Sequence, residues 1–228
     1  TALLRQAEDA FGSMPAGQPN TLDAPAWHGG IQQRAMAGSS QTHLVLGFPV
    51  LPMQADDPTA ALAAALLGEG MSSPLMDQLR EQRGLVYYAA CSADLIDSGG
   101  QFIIEASTSP GQLDEALTAL GTLLADQAAQ VTPQDLARAK NQIRVRRLRG
   151  QEKTGRRLEE AALDALLLGR LRNRADWLAR MDALDGDAVR RLFAGMAASG
   201  VALALTGRVP RGSADRARTH LAAAGLLR

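Results

Sequence analysis

With 228 residues and 24 Lys plus Arg against 24 Asp plus Glu, the chain has no net charge, so nothing draws the whole molecule toward nucleic acid or an anionic membrane. The length suffices for one large domain or two small ones, and a 46 % apolar composition with only 4 % aromatics, rich in Ala and Leu, favours helices laid over a sheet. A lone cysteine, Cys91, excludes an internal disulfide and a cysteine-rich zinc site.

The first elements in chain order do not read as the start of a domain. Residues 3–11 have a short amphipathic helical pattern, and 12–20 are a linker by composition. No signal peptide is visible at Thr1, and without an initiator methionine the chain reads as a processed or excised piece. Strands are expected over 30–37 and 41–48, then a helix over 58–67. This apolar run is far too short to cross a bilayer. A second, short helix over 74–83 is well punctuated. Ser73 caps it with Pro74 at the first helical position, Asp77 lies near its positive end, Arg80 and Arg83 lie in its last turn, and Gly84 supplies a left-handed stop. The chain then enters a strand over 86–96, where Tyr87 and Tyr88 are expected on opposite faces, one buried and one toward a cleft. Asp97 to Gly100 turn this strand into a partner over 101–107. Ser109, Pro110 and Gln112 read as a capping box for a helix with Leu113, Ala116, Leu117, Leu120 and Leu124 on one face, and Thr132-Pro133-Gln134-Asp135 opens another. Helices over 156–168, 174–183 and 186–197, a strand over 201–207 and a helix over 213–224 complete the chain. The order predicts an α+β fold, an antiparallel sheet covered on one face by helices.

Residues able to do chemistry alone are missing. A catalytic zinc needs about three protein ligands and an open position. The histidines are His28, His43 and His220, and neither H-E-x-x-H nor H-x-x-E-H occurs. His43, in a strand, reads as a structural or surface histidine. There is no G-x-S-x-G elbow, and Cys91 reads as a buried apolar thiol. The Gly68-Glu69-Gly70 turn lacks the pattern of a phosphate loop. What stands out is Arg80 at a helix end and Tyr87 at a strand start, seven positions apart. A cationic fork and a phenol aimed at one spot suit a peptide carbonyl. The plainer readings are a helix-end partner or an ion pair with Glu81 or Asp77 for Arg80, and core packing for Tyr87. Tyr88 takes the place of Tyr87 if the strand register slips by one.

The stretch from Ser72 to Tyr88, with its Leu79-Arg80-Glu81 helix end and its Gly84-Leu85-Val86-Tyr87 strand entry, resembles the second, non-zinc domain of the insulinase/pitrilysin-type zinc peptidases, the inverzincin family that includes mitochondrial processing peptidase. Similar pieces follow the same order: Gln41 to Phe48 as the preceding strand, Asp97 to Phe102 as the hairpin, Val131 to Lys140 as a later helix start. The resemblance implies that 1–24 are the tail helix of a preceding domain plus linker, and that 25–228 form the non-catalytic domain. It implies that Arg80 and Tyr87 bind the substrate backbone near the scissile bond, and that Gly68, Gly70 and Ser73 belong to a glycine-rich loop bordering the peptide cleft. The helix matching the family's zinc-motif helix runs from Thr59 to Leu67 without a ligand. Hence no metal and no cofactor are expected on this chain, and no catalytic residue acts in it alone. Zinc would lie on a partner domain, upstream in the same polypeptide or on a separate subunit, and the pair would enclose and hydrolyse peptides. The resemblance allows a bacterial periplasm or cytoplasm and leans to the periplasm.

A second reading belongs to another class. Arg138, Lys140, Arg144, Arg146, Arg147, Arg149, Lys153, Arg156 and Arg157 make a basic stretch that could track phosphates. The neutral total and the near absence of interleaved aromatics speak against nucleic acid. A solvated helix face, or a chamber wall complementing acidic peptides, accounts for the same residues. A scaffold without substrate contact is the third reading.

Overall fold

The computed structural model describes residues 1–18 and 23–227. Its strands are β1 (Gly30–Ala35), β2 (Thr42–Val50), β3 (Tyr88–Leu95), β4 (Gly100–Thr108) and β5 (Ala202–Gly207), in the spatial order β1-β5-β2-β4-β3. Strict alternation in β2 buries Thr42, Leu44, Leu46 and Phe48 and turns His43 and Val45 to solvent, so one face of the sheet takes the core. Every neighbouring pair is antiparallel except β1 and β5, which run parallel. No hairpin joins those two strands: β5 returns from the far end of the chain and inserts between β1 and β2.

The helices are α1 (Ala2–Phe11), α2 (Thr59–Gly68), α3 (Pro74–Met76), α4 (Leu113–Ala129), α5 (Pro133–Gln151), α6 (Thr154–Leu168), α7 (Arg174–Ala183), α8 (Gly186–Ser199) and α9 (Ser213–Ala223). Helix α2 is apolar all round, which suits burial on every side. Ala60, Leu62, Ala63, Ala64, Ala65, Leu66 and Leu67 are all buried, between β3 on one side and α5 and α8 on the others. Leu44, Leu46, Phe48, Phe102 and Ile104 of the sheet share this core with Leu117 and Leu120 of α4 and Phe193 of α8. Phe102 and Phe193 meet edge to face with centroids 5.9 Å apart. Burying each such side chain contributes about 1.5–3 kcal/mol.

The opposite face carries Gln32, Ala204, Val45 and Glu105 across neighbouring strands, all exposed. Covering by helices on one side only is therefore the observed architecture. Helix α1 forms as its amphipathic pattern predicts, and none of its residues is buried. The linker expected over 12–20 runs into residues 19–22, which lie outside the described residues.

Two expectations are corrected. The helix over 74–83 is α-helical only through α3 and then widens into a π turn, Asp77–Glu81, where the Gln82 N–H reaches Asp77 O at 2.9 Å. The helix after Ser109 begins with a 3-10 turn, Pro110–Gln112, and the Ser109 hydroxyl donates to Gln112 Oε1 at 2.7 Å instead of capping backbone N–H groups.

Candidate functional site

Ser73 is fully buried, and its hydroxyl accepts from the Met76 N–H at 3.4 Å with Pro74 at the first helical position. Gly68 packs against Cys91 of β3, and Gly70 lies against the Gln142 amide of α5. Gly70 has φ +87, a left-handed conformation that glycine adopts freely. From the capped start the chain passes through the π turn to Arg80, then Gly84 at φ +60 reverses it. Three hydrogen bonds pin the reversal: Gly84 N–H to Arg80 O at 2.9 Å, Leu85 N–H to Leu79 O at 2.8 Å, and Thr108 Oγ1 to Leu85 O at 2.6 Å. Leu79, Leu85 and Val86 are buried around it, so the handover from helix to strand is rigid at its base.

Arg80 stands out from this base half-exposed. Its Nη1 lies 3.9 Å from Met71 Sδ, which brings the guanidinium to the glycine-rich loop, and its Nε lies 3.8 Å from Glu81 Oε1. An exposed pair of that length contributes at most about 1 kcal/mol. The alternative partner, Asp77, accepts instead from Gln82 Nε2 at 2.6 Å.

The tyrosines depart from expectation. The strand starts only at Tyr88, and both rings are exposed, Tyr87 at 76 % and Tyr88 at 52 %. The Tyr87 N–H donates to Ser107 O at 2.9 Å, while Tyr88 is the residue paired with Ser107. Two consecutive residues thus answer to one on β4, as at a bulge, and the strict alternation behind the one-in, one-out expectation is broken. Val86 and Ala89 fill the core positions on either side. Tyr87 makes no core packing, so its phenol is available, and Tyr88 lies in the cross-strand row Tyr88–Ser107–His43–Thr206–Arg34.

Behind the loop, sequence reasoning missed a cap. Arg138 of α5 donates to Leu66 O at 2.6 Å and to Glu69 O at 2.9 Å, and Gln142 Nε2 donates to Glu69 O at 3.0 Å. These side chains satisfy carbonyls at the end of α2 that have no helical partner. The basic stretch that suggested phosphate tracking is largely engaged elsewhere. Lys140 donates to Asp182 O and Leu184 O, Arg144 pairs with Asp182 at 2.8 Å, and Arg147 stacks over the Trp177 ring at 3.6 Å. Only the cap's position in that stretch hinted at it.

Among the described residues no three or more His, Cys, Asp or Glu side chains are grouped so as to hold a metal ion. No helix among them is long and apolar enough to cross a membrane.

A five-stranded mixed sheet covered on one face by helices, with Arg80 and Tyr87 exposed where a helical turn hands over to a strand, makes an α+β domain. The chain belongs to the peptidase M16 inactive-domain family, whose model matches residues 1–143. An uncharacterised zinc protease of Rickettsia felis is 30 % identical over 171 residues, covering 74 % of this chain and 41 % of that protein. In the crystal structure of a peptidase M16 inactive domain from Pseudomonas fluorescens the same fold recurs, with TM-score 0.74 and 22 % identity over 92 % of this chain and 50 % of that one. A chain of complex III2 from Candida albicans, Inz-5 bound, gives TM-score 0.75 at 14 % identity, covering 85 % and 49 %. These two likenesses show the fold alone. The chain spans no more than about half the length of these relatives.

Proposed function

We propose that this chain is the substrate-binding, non-catalytic half of a zinc metalloendopeptidase, working with a domain or subunit that carries H-x-x-E-H and the metal. The observation that carries the reading is the exposure of Arg80 and Tyr87 on either side of a hydrogen-bonded turn that is anchored by the buried Leu79, Leu85 and Val86. Such a base fixes direction without occupying the donors. The Arg80 guanidinium offers several N–H groups, and the Tyr87 hydroxyl can donate to a carbonyl as negative charge develops on its oxygen. Gly68 and Gly70 let the loop pack closely against Cys91 and Gln142, and Met71 beyond them carries the loop to Arg80. The zinc of the partner supplies Lewis acidity; this chain's residues bind and orient the peptide.

Mixing tests the division of labour. The purified chain and a purified H-x-x-E-H domain are each assayed with an unfolded peptide, alone and together. Turnover is expected only in the mixture. Zinc-dependent turnover by this chain alone, or a mixture no faster than the zinc-bearing domain, overturns the reading.

A further inference from the structure

Next to the glycine-rich loop lies a groove of about 540 Å³ whose walls are Glu69 from the loop, the C-terminal half of α5 and the approach to α6. We infer that this groove binds the acidic segment of a peptide that extends from the Arg80–Tyr87 site, an inference that rests on the proposed function for the way the peptide arrives. Four cations line it, Arg146, Arg149, Lys153 and Arg156, against one carboxylate, Glu69. Arg146 holds Glu69 at 2.5 Å, and Arg156 leans toward Glu160 at 3.7 Å. Among the described residues Arg149 and Lys153 have no carboxylate within ion-pair distance, so the excess positive charge sits in a concavity, where the field is focused. Half-exposed Val145 adds an apolar wall for the methylenes of Glu or Asp. The same loop links the groove to Arg80: Glu69 is two residues from Met71, whose sulfur lies 3.9 Å from Arg80 Nη1.

A carboxylate-bearing peptide suits this groove better than a phosphate backbone. No aromatic side chain lines it for base stacking, and Arg138, Lys140, Arg144 and Arg147 of the same stretch are turned to internal partners, which shortens any row that could follow a nucleic acid strand.

The test is fluorescence anisotropy of the purified chain with a labelled peptide containing a run of glutamates and with its glutamine counterpart, at low and at near-physiological salt. The glutamate peptide is expected to bind about tenfold more tightly at low salt, the value of two partly exposed ion pairs, and to lose most of that margin as salt screens them. Arg149→Glu with Lys153→Glu is expected to abolish the preference while leaving the glutamine peptide bound as before; Arg149→Gln with Lys153→Gln provides the same reading with less perturbation. Equal binding of the two peptides, binding of neither, or an RNA oligonucleotide that outcompetes the glutamate peptide overturns the inference. Failure of the proposed function is seen separately, as Arg80→Ala leaving the affinity for both peptides unchanged.

Discussion

A methyl group added to Gly68 would lie 2.7 Å from both Cβ and Sγ of Cys91 and 2.8 Å from its backbone nitrogen. The close approach of α2 to β3 depends on that missing side chain. Gly68→Ala is expected to cost about 1–3 kcal/mol in urea denaturation, as overpacked sites do; an unchanged midpoint would show that the contact gives way freely. The same contact governs the thiol. Burial pushes the ionisation of Cys91 well above the ordinary cysteine range, because the thiolate would lose its hydration. Alkylation by iodoacetamide at mildly alkaline pH should therefore be slow in the folded protein and fast in denaturant; equal rates would contradict the burial. From residue type alone Cys91 reads as a buried thiol; in the structure it is partly buried, packed against the core from β3. The exposure of both tyrosines was not legible, since it depends on a local doubling opposite Ser107 that no side-chain pattern announces.

Among the elements, α2 shows what sequence conveys well. A run of Ala and Leu without an amphipathic stripe can only be central, and its edges lay within a residue or two of the expectation. Its C-terminal cap was hidden, because Arg138 and Gln142 come from about seventy residues further on. Arg138→Ala should lower stability by about 1–3 kcal/mol, measured by thermal melt, through carbonyls left without partners; no change would mean that water replaces the guanidinium at no cost. A second long-range fastening joins the turn before α2 to the α6–α7 connection. Asp56, in left-handed conformation at φ +49, receives Arg170 at 2.6 Å and Arg180 at 2.9 Å, with Arg172 at 3.6 Å. Burial alone would raise its pKa, but hydrogen bonds from Arg170 and Arg180 and the charges of Arg180 and Arg172 outweigh it, so the pKa falls below the usual 3.8. The folded state then binds fewer protons than the unfolded one in that window. The contribution is complete above pH 3.8 and is lost as pH drops through the lower folded value. Asp56→Asn should flatten the acid limb of stability against pH; an acid limb as steep as that of the unaltered protein would remove Asp56 as its source.

For the whole molecule, strand and helix order was readable because β2 and α4 carry the period of their element and α2 is an unbroken apolar run of helix-forming residues. The parallel pairing of β1 with β5 was not, since it joins the two ends of the domain. Arg80 and Tyr87 stand out in the sequence through a local motif; their surroundings do not, because α5, far along the chain, supplies both the cap behind the loop and the basic groove beside it. The account depends on those two exposed groups serving a metal carried by another domain. It is tested most directly by peptide turnover of the chain assembled with an H-x-x-E-H zinc domain, comparing Arg80→Ala and Tyr87→Phe with the unaltered chain. The account predicts kcat lower by about 10²–10³-fold for each, with thermal midpoints unchanged. Full turnover by both variants, or a fall in turnover matched by a fall in the folded fraction, would contradict it.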